Sequence, residues 1–209
     1  MANIRVASIP TDWNRAHGTI TSMLRNFSYW LDRASRDYWE ALQIPAGSIN
    51  LSGSATPPTV DTTTVPGSLL FSTSSTNAIA GCVQVPHGWK EGSNIYPHIH
   101  WTKTTADGSG LAVAWEMKYA VASIGEAIPA YSAWLSHTLE SGDLTTLEKH
   151  NLSSFTAINM AAETVGVYIF WQLQRDVTDD TYGSNARLLG IDFHYERNTG
   201  GSEIEYDKL

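Results

Sequence analysis

Residues 96–101 read Tyr-Pro-His-Ile-His-Trp, and this stretch decides how the rest of the chain is interpreted. Apolar and polar side chains alternate along it, and a period of two is typical of a β-strand whose successive side chains face opposite ways. Ile99 and Trp101 then lie on one face, and His98 and His100 lie on the other. The segment therefore predicts a strand with one apolar face and one face that carries two imidazoles.

Three further segments alternate in the same way, at residues 110–121, 165–177 and 186–197. Strands with one apolar and one polar face are typical of an antiparallel sheet that packs one side on a core. The apolar faces carry tryptophans, so the sequence predicts a core that contains Trp101, Trp115 and Trp171. Other strand candidates lie near residues 68–73, 78–86, 133–140, 147–153 and 203–206.

About eight strands separated by turn residues indicate a sandwich or a barrel. Eight antiparallel strands in two sheets is the strand number of a jelly roll. We therefore expect a mainly β fold, an antiparallel jelly-roll-type sandwich that spans residues 67–209.

The N-terminal third of the chain has a different pattern. Between Ile20 and Leu42 apolar residues recur every three or four positions, which predicts an amphipathic helix within residues 1–43 that ends before Pro45. Residues 44–66 are rich in Ser, Thr, Pro and Gly, which is the composition of an extended linker or arm. The helix could pack on its own domain or on a neighbouring subunit.

The composition excludes several classes of partner. Net charge is −8 and no basic run occurs, which disfavours nucleic acid and anionic membrane surfaces. No apolar run approaches the ~20 residues of a membrane span, and the N-terminus lacks an apolar signal core. The single cysteine, Cys82, is expected to be a small buried hydrophobe. We expect a soluble protein that is made in a cytoplasm.

Two imidazoles at His98 and His100 are typical of metal-binding strands in cupin-type jelly rolls, where a Glu and another His complete the site. Glu116 and His194 are the residues that could complete it here. His98 and His100 are followed by neither a Gly-rich segment nor a nearby carboxylate. Their spacing therefore secures only two ligands. The sequence therefore predicts structural histidines and no metal site.

Other reactive patterns are incomplete. Asp192 and His194 share one strand face, but no Gly-X-Ser-X-Gly nucleophile motif accompanies them, and Ser109 lies in a turn. Phosphate-binding and dinucleotide motifs are absent from the sequence. We expect no catalytic residue and no cofactor. An acidic cluster without EF-hand spacing predicts a solvated turn rather than a calcium loop, at Asp176, Asp179 and Asp180.

Three stretches resemble a pattern found in structural proteins of tailed bacteriophages: Val-Pro-His-Gly-Trp-Lys-Glu-Gly-Ser at 85–93, Pro-His-Ile-His-Trp at 97–101, and Leu-Leu-Gly-Ile-Asp-Phe-His-Tyr at 188–195. The resemblance covers roughly residues 85–197. It implies a β-rich virion or tail component and transfers no catalytic residue.

The expected function is that of a non-enzymatic virion protein, a head decoration, fibre base, tail or adaptor component. It would dock on other virion proteins through residues 1–66 and oligomerise through its β-domain, with a homotrimer favoured. One alternative is a module that binds host surface glycans, for which Trp89, Trp134 and Tyr182 are the candidate residues. A cupin-like metalloenzyme is the third reading.

Overall fold

The chain divides into two compact units, Met1–Asp37 and Tyr38–Leu209. Among the residues that the structure describes, the first unit contains one helix and the second contains the strands. Among the described residues no helix is both long and apolar enough to cross a membrane. The computed structural model describes residues 13–34, 37–51, 56–106, 111–139 and 147–198. The predicted strand near 203–206 and the turn that holds Ser109 lie outside these ranges.

Helix α1 spans Trp13–Ala34. An amphipathic helix in this region is confirmed, but its predicted continuation to residue 42 is wrong, because Tyr38–Pro45 form a strand. The apolar residues at 38–45 fit both the helical spacing and the strand spacing. The strand wins because all eight of its residues pair with another strand, which places Leu42 and Ile44 against the core.

In the described part of the second unit, ten strands form two antiparallel sheets. Strand β1 continues directly into a short 3-10 turn at Ala46–Ser48. The strand bounds are β1 Tyr38–Pro45, β2 Thr59–Val60, β3 Leu69–Phe71, β4 Ala78–Gln84, β5 Ile95–Lys103, β6 Val113–Ala122, β7 Leu135–Leu139, β8 Asn151–Ser154, β9 Tyr168–Arg175 and β10 Ala186–Arg197.

The pairing of the last eight strands is nested. Strand β3 pairs with β10, β4 with β9, β5 with β8, and β6 with β7. One sheet has the order β2-β3-β10-β5-β8, with β1 also on β10, and the other has the order β4-β9-β6-β7. Eight antiparallel strands folded in this way are a jelly roll. The predicted fold class is confirmed, and the region of each predicted strand from 68 to 197 contains one of these eight.

The core lies between the two sheets and contains the three predicted tryptophans, Trp101, Trp115 and Trp171, all buried. Trp101 donates a hydrogen bond from Nε1 to Ser153 Oγ at 2.9 Å. The ring of Trp171 lies over Gly81 on the neighbouring strand, where a Cβ atom would come within 2.5 Å of Cζ2. A glycine is therefore required at this close approach.

Strand β10 departs from simple alternation in one place. Its register with β5 shifts between Leu188 and Gly190. Leu188 is buried in the core, whereas Leu189 lines a surface cavity. Simple alternation along residues 186–197 predicts that Leu189 shares the apolar face with Ile191, and that prediction is wrong because a bulge shifts the phase of the side chains by one residue.

Part of the predicted linker at residues 44–66 is held on the first sheet. Thr59–Val60 pair with β3. The next residue, Asp61, is buried and accepts hydrogen bonds from the backbone N–H groups of residues 63, 64 and 65 and, at 2.9 Å, from Arg187 Nε on β10. The hydrogen bonds from residues 63, 64 and 65 hold the pKa of Asp61 well below its usual range, against the opposing effect of burial. The Ser/Thr/Pro-rich composition here supports a capped turn rather than a free linker.

Replacing Trp171 by Ala should lower the free energy of unfolding by about 3–5 kcal/mol, because the substitution leaves a large cavity between the sheets. Trp39→Ala is the matched control, because Trp39 is 55% exposed and its loss should cost about 1 kcal/mol or less. Urea denaturation followed by circular dichroism measures both. Equal losses in the two variants would contradict the assignment of Trp171 to the core.

Candidate functional site

The candidate site lies on the outer face of the first sheet, where β5 and β10 run side by side. In their register His98 is opposite Asp192, His100 is opposite Gly190, and Tyr96 is opposite His194. Alternation therefore brings the polar face of the Pro-His-Ile-His-Trp strand against the polar face of the Asp-Phe-His-Tyr strand. The two stretches that the sequence singles out separately form one cluster.

Asp192 is the centre of this cluster. Its Oδ2 atom lies 3.2 Å from His100 Nε2, 3.6 Å from His98 Nε2 and 3.9 Å from His194 Nε2. One ligand atom each from His98, His100 and Asp192 lie within 4.8 Å of one another. The His98 and His194 rings also meet edge to face, with centroids 4.4 Å apart.

Neighbouring segments extend the cluster. His150, in the loop before β8, places Nε2 2.7 Å from His100 Nδ1. From β1, Gln43 Nε2 donates to Asp192 Oδ2 at 3.4 Å. Both ring nitrogens of His100 and the Oδ2 atom of Asp192 therefore have partners on other elements of the fold.

Burial sets the electrostatics of the site. His98 is 8% exposed and Asp192 is 6% exposed, although both lie on the outer face of the sheet. Burial lowers the pKa of His98 to about 4, assisted by His194 and His100 and opposed by Asp192. His98 is therefore a neutral imidazole at pH 7, the form that accepts a hydrogen bond or binds a metal ion.

A cavity of about 340 Å³ opens beside the cluster. Gly190 contributes no side chain there, and a Cβ atom at this position would come within 3.2 Å of the Ile44 carbonyl oxygen. His100 and Asp192 therefore face a space that a small ligand or water molecules can enter. Its wall is formed by Gln43, Ile44, Pro45, His100, His150, Leu189, Gly190 and Asp192.

Of the two residues that the sequence offers as further ligands, His194 lies beside the histidine pair and Glu116 does not. Glu116 lies on β6 in the other sheet, where it accepts hydrogen bonds from Gln174 Nε2 and Ser136 Oγ. His194 is beside the pair, but Asp192 is the carboxylate that converges with it. Sequence reasoning missed His150, which lies in a loop without a local signal, and Gln43, which was assigned to the helical region.

Other candidate residues are accounted for by local contacts. Trp89 and Tyr182 are buried, so they do not form a sugar-binding surface, and Trp134 lies under Lys118 Nζ at 4.4 Å from its ring centroid. Asp180 accepts two hydrogen bonds from the buried Arg175, at 2.6 and 2.8 Å. Cys82 is exposed, contrary to prediction, because it points outward on β4 while Ile79 points to the core.

No protein-family model and no curated protein matches the sequence. Among solved structures, a family 35 carbohydrate-binding module of Cellvibrio japonicus Abf62 aligns over 77% of this chain and 100% of its own, at 10% identity and a TM-score of 0.42. The cycloisomaltooligosaccharide glucanotransferase of a Paenibacillus species aligns over 72% of this chain and 18% of its own, at 10% identity and 0.39. The TNF protein Eiger of S. frugiperda aligns over 81% and 91%, at 13% identity and 0.30. Values this low assign neither a family nor a function.

The lowered pKa of His98 predicts a loss of stability in acid. Between pH 6.5, its ordinary pKa, and about pH 4, its pKa in the fold, the unfolded chain binds a proton that the folded chain resists. Stability is unaffected by this group above the window and falls as the pH drops through it. Urea midpoints of chelator-treated protein from pH 8 to 4 should therefore fall less steeply in His98→Gln than in the wild type.

His87→Gln, in the loop after β4, is the control and should follow the wild type. Because His100, His194 and Asp192 lie around His98, the urea midpoints of each variant are compared with those of the wild type in the same buffers. Parallel curves for His98→Gln and the wild type would show that His98 is not the group responsible.

Proposed function

We propose that the chain is a non-enzymatic structural protein of a tailed-bacteriophage virion, which assembles through its N-terminal helix and displays the jelly-roll domain. The resemblance of residues 85–197 to such proteins supports the virion assignment. The observation that carries the assembly role is the apolar face of α1. The sequence predicts oligomerisation through the β-domain and docking on other virion proteins through residues 1–66. We propose instead that the main self-contact is made by the helix, because its apolar face is exposed.

Among the side chains of α1 that the structure describes, the apolar face includes Ile20, Met23, Leu24 and Phe27, which are 46–62% exposed. Their spacing places them on one side of the helix. From Ile20 through Leu24 and Phe27 to Ala34, apolar residues recur at alternating intervals of four and three residues. This spacing is typical of helices that associate with one another. A contiguous apolar face of this kind is typical of a protein–protein contact.

Self-association through the apolar face of α1 is tested on the whole chain by size exclusion with light scattering. We expect an oligomer, with a trimer favoured, of the 22.9 kDa chain. Leu24→Asp with Phe27→Asp should give monomers, because each charge enters the apolar face. Ser22→Asp with Asn26→Asp adds the same charge on the opposite side of α1 and should leave the oligomer intact. A monomeric wild type, or an oligomer that survives Leu24→Asp with Phe27→Asp, would contradict this role.

Truncation separates the assembly element from the jelly roll. A β-domain that spans residues 67–209, as the sequence predicts, would stay folded without residues 1–66, but β1 and β2 lie in the first sheet. Removal of residues 1–37 should leave a cooperatively folded monomer. Removal of residues 1–45 deletes β1 and exposes one edge of β10, so it should destabilise the domain severely. Similar melting curves for the two truncations would show that β1 is dispensable.

The virion assignment has its own test. Density-gradient-purified particles from the source culture should contain this chain at a fixed ratio to the major capsid protein, measured by quantitative mass spectrometry. Its absence from washed, infectious particles would contradict a virion role while leaving the assembly role of α1 in place.

A second candidate function, glycan binding, is favoured by one aromatic pair. Trp39 on β1 and Tyr96 on β5 meet edge to face, with centroids 5.3 Å apart and exposures of 55% and 40%. Exposed aromatic rings beside polar groups can pack on sugar rings. Trp39→Ala should then abolish binding on a glycan array, whereas Tyr168→Ala on the other sheet should not. A wild type that binds no glycan would exclude this function.

A further inference from the structure

We propose that His98, His100 and Asp192 bind one divalent first-row transition-metal ion on the outer face of the jelly roll, with an open coordination position towards the adjoining cavity. The sequence alone predicts no metal site, because it secures only two ligands. The structure brings the third ligand, a carboxylate, from β10. Two imidazoles and one carboxylate around open positions are a ligand set that zinc and iron(II) take in proteins.

The donor atoms already converge. Ligand bonds of about 2.0–2.2 Å place neighbouring ligand atoms of a tetrahedral site about 3.3–3.6 Å apart. Asp192 Oδ2 lies 3.2 Å from His100 Nε2 and 3.6 Å from His98 Nε2. All three ligand atoms lie within 4.8 Å of one another, so a shift of about 1 Å closes the widest pair.

The backbone holds these ligands in place. His98 and Asp192 are cross-strand partners in the ladder between β5 and β10, and His100 follows two residues along β5. Side chains on paired strands are positioned more accurately than side chains on loops. His98 and Asp192 are also almost fully buried, so a metal ion would order little that the fold has not ordered already.

A hydrogen bond to a residue outside the ligand set orients one of the ligands, His100. When Nε2 of His100 binds a metal ion, its Nδ1 carries the proton, and the Nε2 atom of His150 lies 2.7 Å from that Nδ1. Metal-bound histidines commonly donate the other ring N–H to such a partner, which fixes the tautomer and the orientation of the ring. His150 therefore acts as a positioning residue rather than as a ligand.

Charge favours a cation at this place. Asp192 is buried among the nitrogen atoms of His98, His100, His194 and Gln43. A buried carboxylate is costly unless a positive charge compensates it, and a divalent ion supplies that charge between the carboxylate and the imidazoles. The cavity beside Gly190 leaves space for a water molecule or a small anionic ligand on the remaining position.

The test uses the whole chain, stripped with chelator and then titrated with Zn²⁺ by calorimetry and with Co²⁺ by visible absorption. We expect one ion per chain and, for Co²⁺, the intense absorption bands of a four- or five-coordinate site. Asp192→Asn and His100→Gln should each weaken binding at least tenfold. His87→Gln, outside the cluster, should bind within about threefold of the wild type.

Circular dichroism confirms the fold of each variant, and His100→Gln keeps the test valid if Asp192→Asn does not fold, because His100 is more exposed than Asp192. His150→Gln should bind more weakly than the wild type while keeping the Co²⁺ spectrum, as expected of a positioning residue. Binding that is absent from the wild type, retained in His100→Gln, or lost equally in His87→Gln would overturn the assignment.

Discussion

The pairing of β10 with β5 along one edge, and with β3 and β1 end to end along the other, fixes both faces of the first sheet. Ile191 and Phe193 turn inward to the core, so Asp192 and His194 must turn outward beside the imidazoles of β5. If the pairing of β10 with β5 slipped by one residue, the polar side chains of β10 would be buried and its apolar side chains would be exposed. The hydrophobic core therefore enforces the geometry of the polar cluster on the opposite face.

The bulge between Leu188 and Gly190 links that ladder to the cavity. It returns Leu188 to the core and sends Leu189 outward, so a large apolar side chain becomes part of the cavity wall. The next residue, Gly190, lets the backbone of β1 approach closely at Ile44. Bulges commonly re-aim side chains in this way, and here Leu189 and Gly190 join His100 in the wall of the cavity.

The sequence predicts those parts of the structure that depend on local periodicity. Alternation identifies eight of the strands, the inward direction of Trp101, Trp115 and Trp171, and the shared face of His98 and His100. It fails at residues 38–45, where helical and strand periods both fit and the choice is made by β10. It also cannot join His100 to Asp192, which lie 92 positions apart and meet only through strand register.

The outer face of a sheet is usually where a protein keeps its charges in water, yet His98 and Asp192 are withdrawn from solvent there. The shielding lowers the pKa of His98 and so keeps its imidazole neutral, while it deprives the Asp192 carboxylate of hydration. Both effects disfavour this arrangement as a purely structural device, because apolar side chains would pack there without either cost. They suit a site that exchanges solvent for a cation. An ion held by β5 and β10 would join the two central strands of the sheet, so that its binding and the stability of the jelly roll are linked.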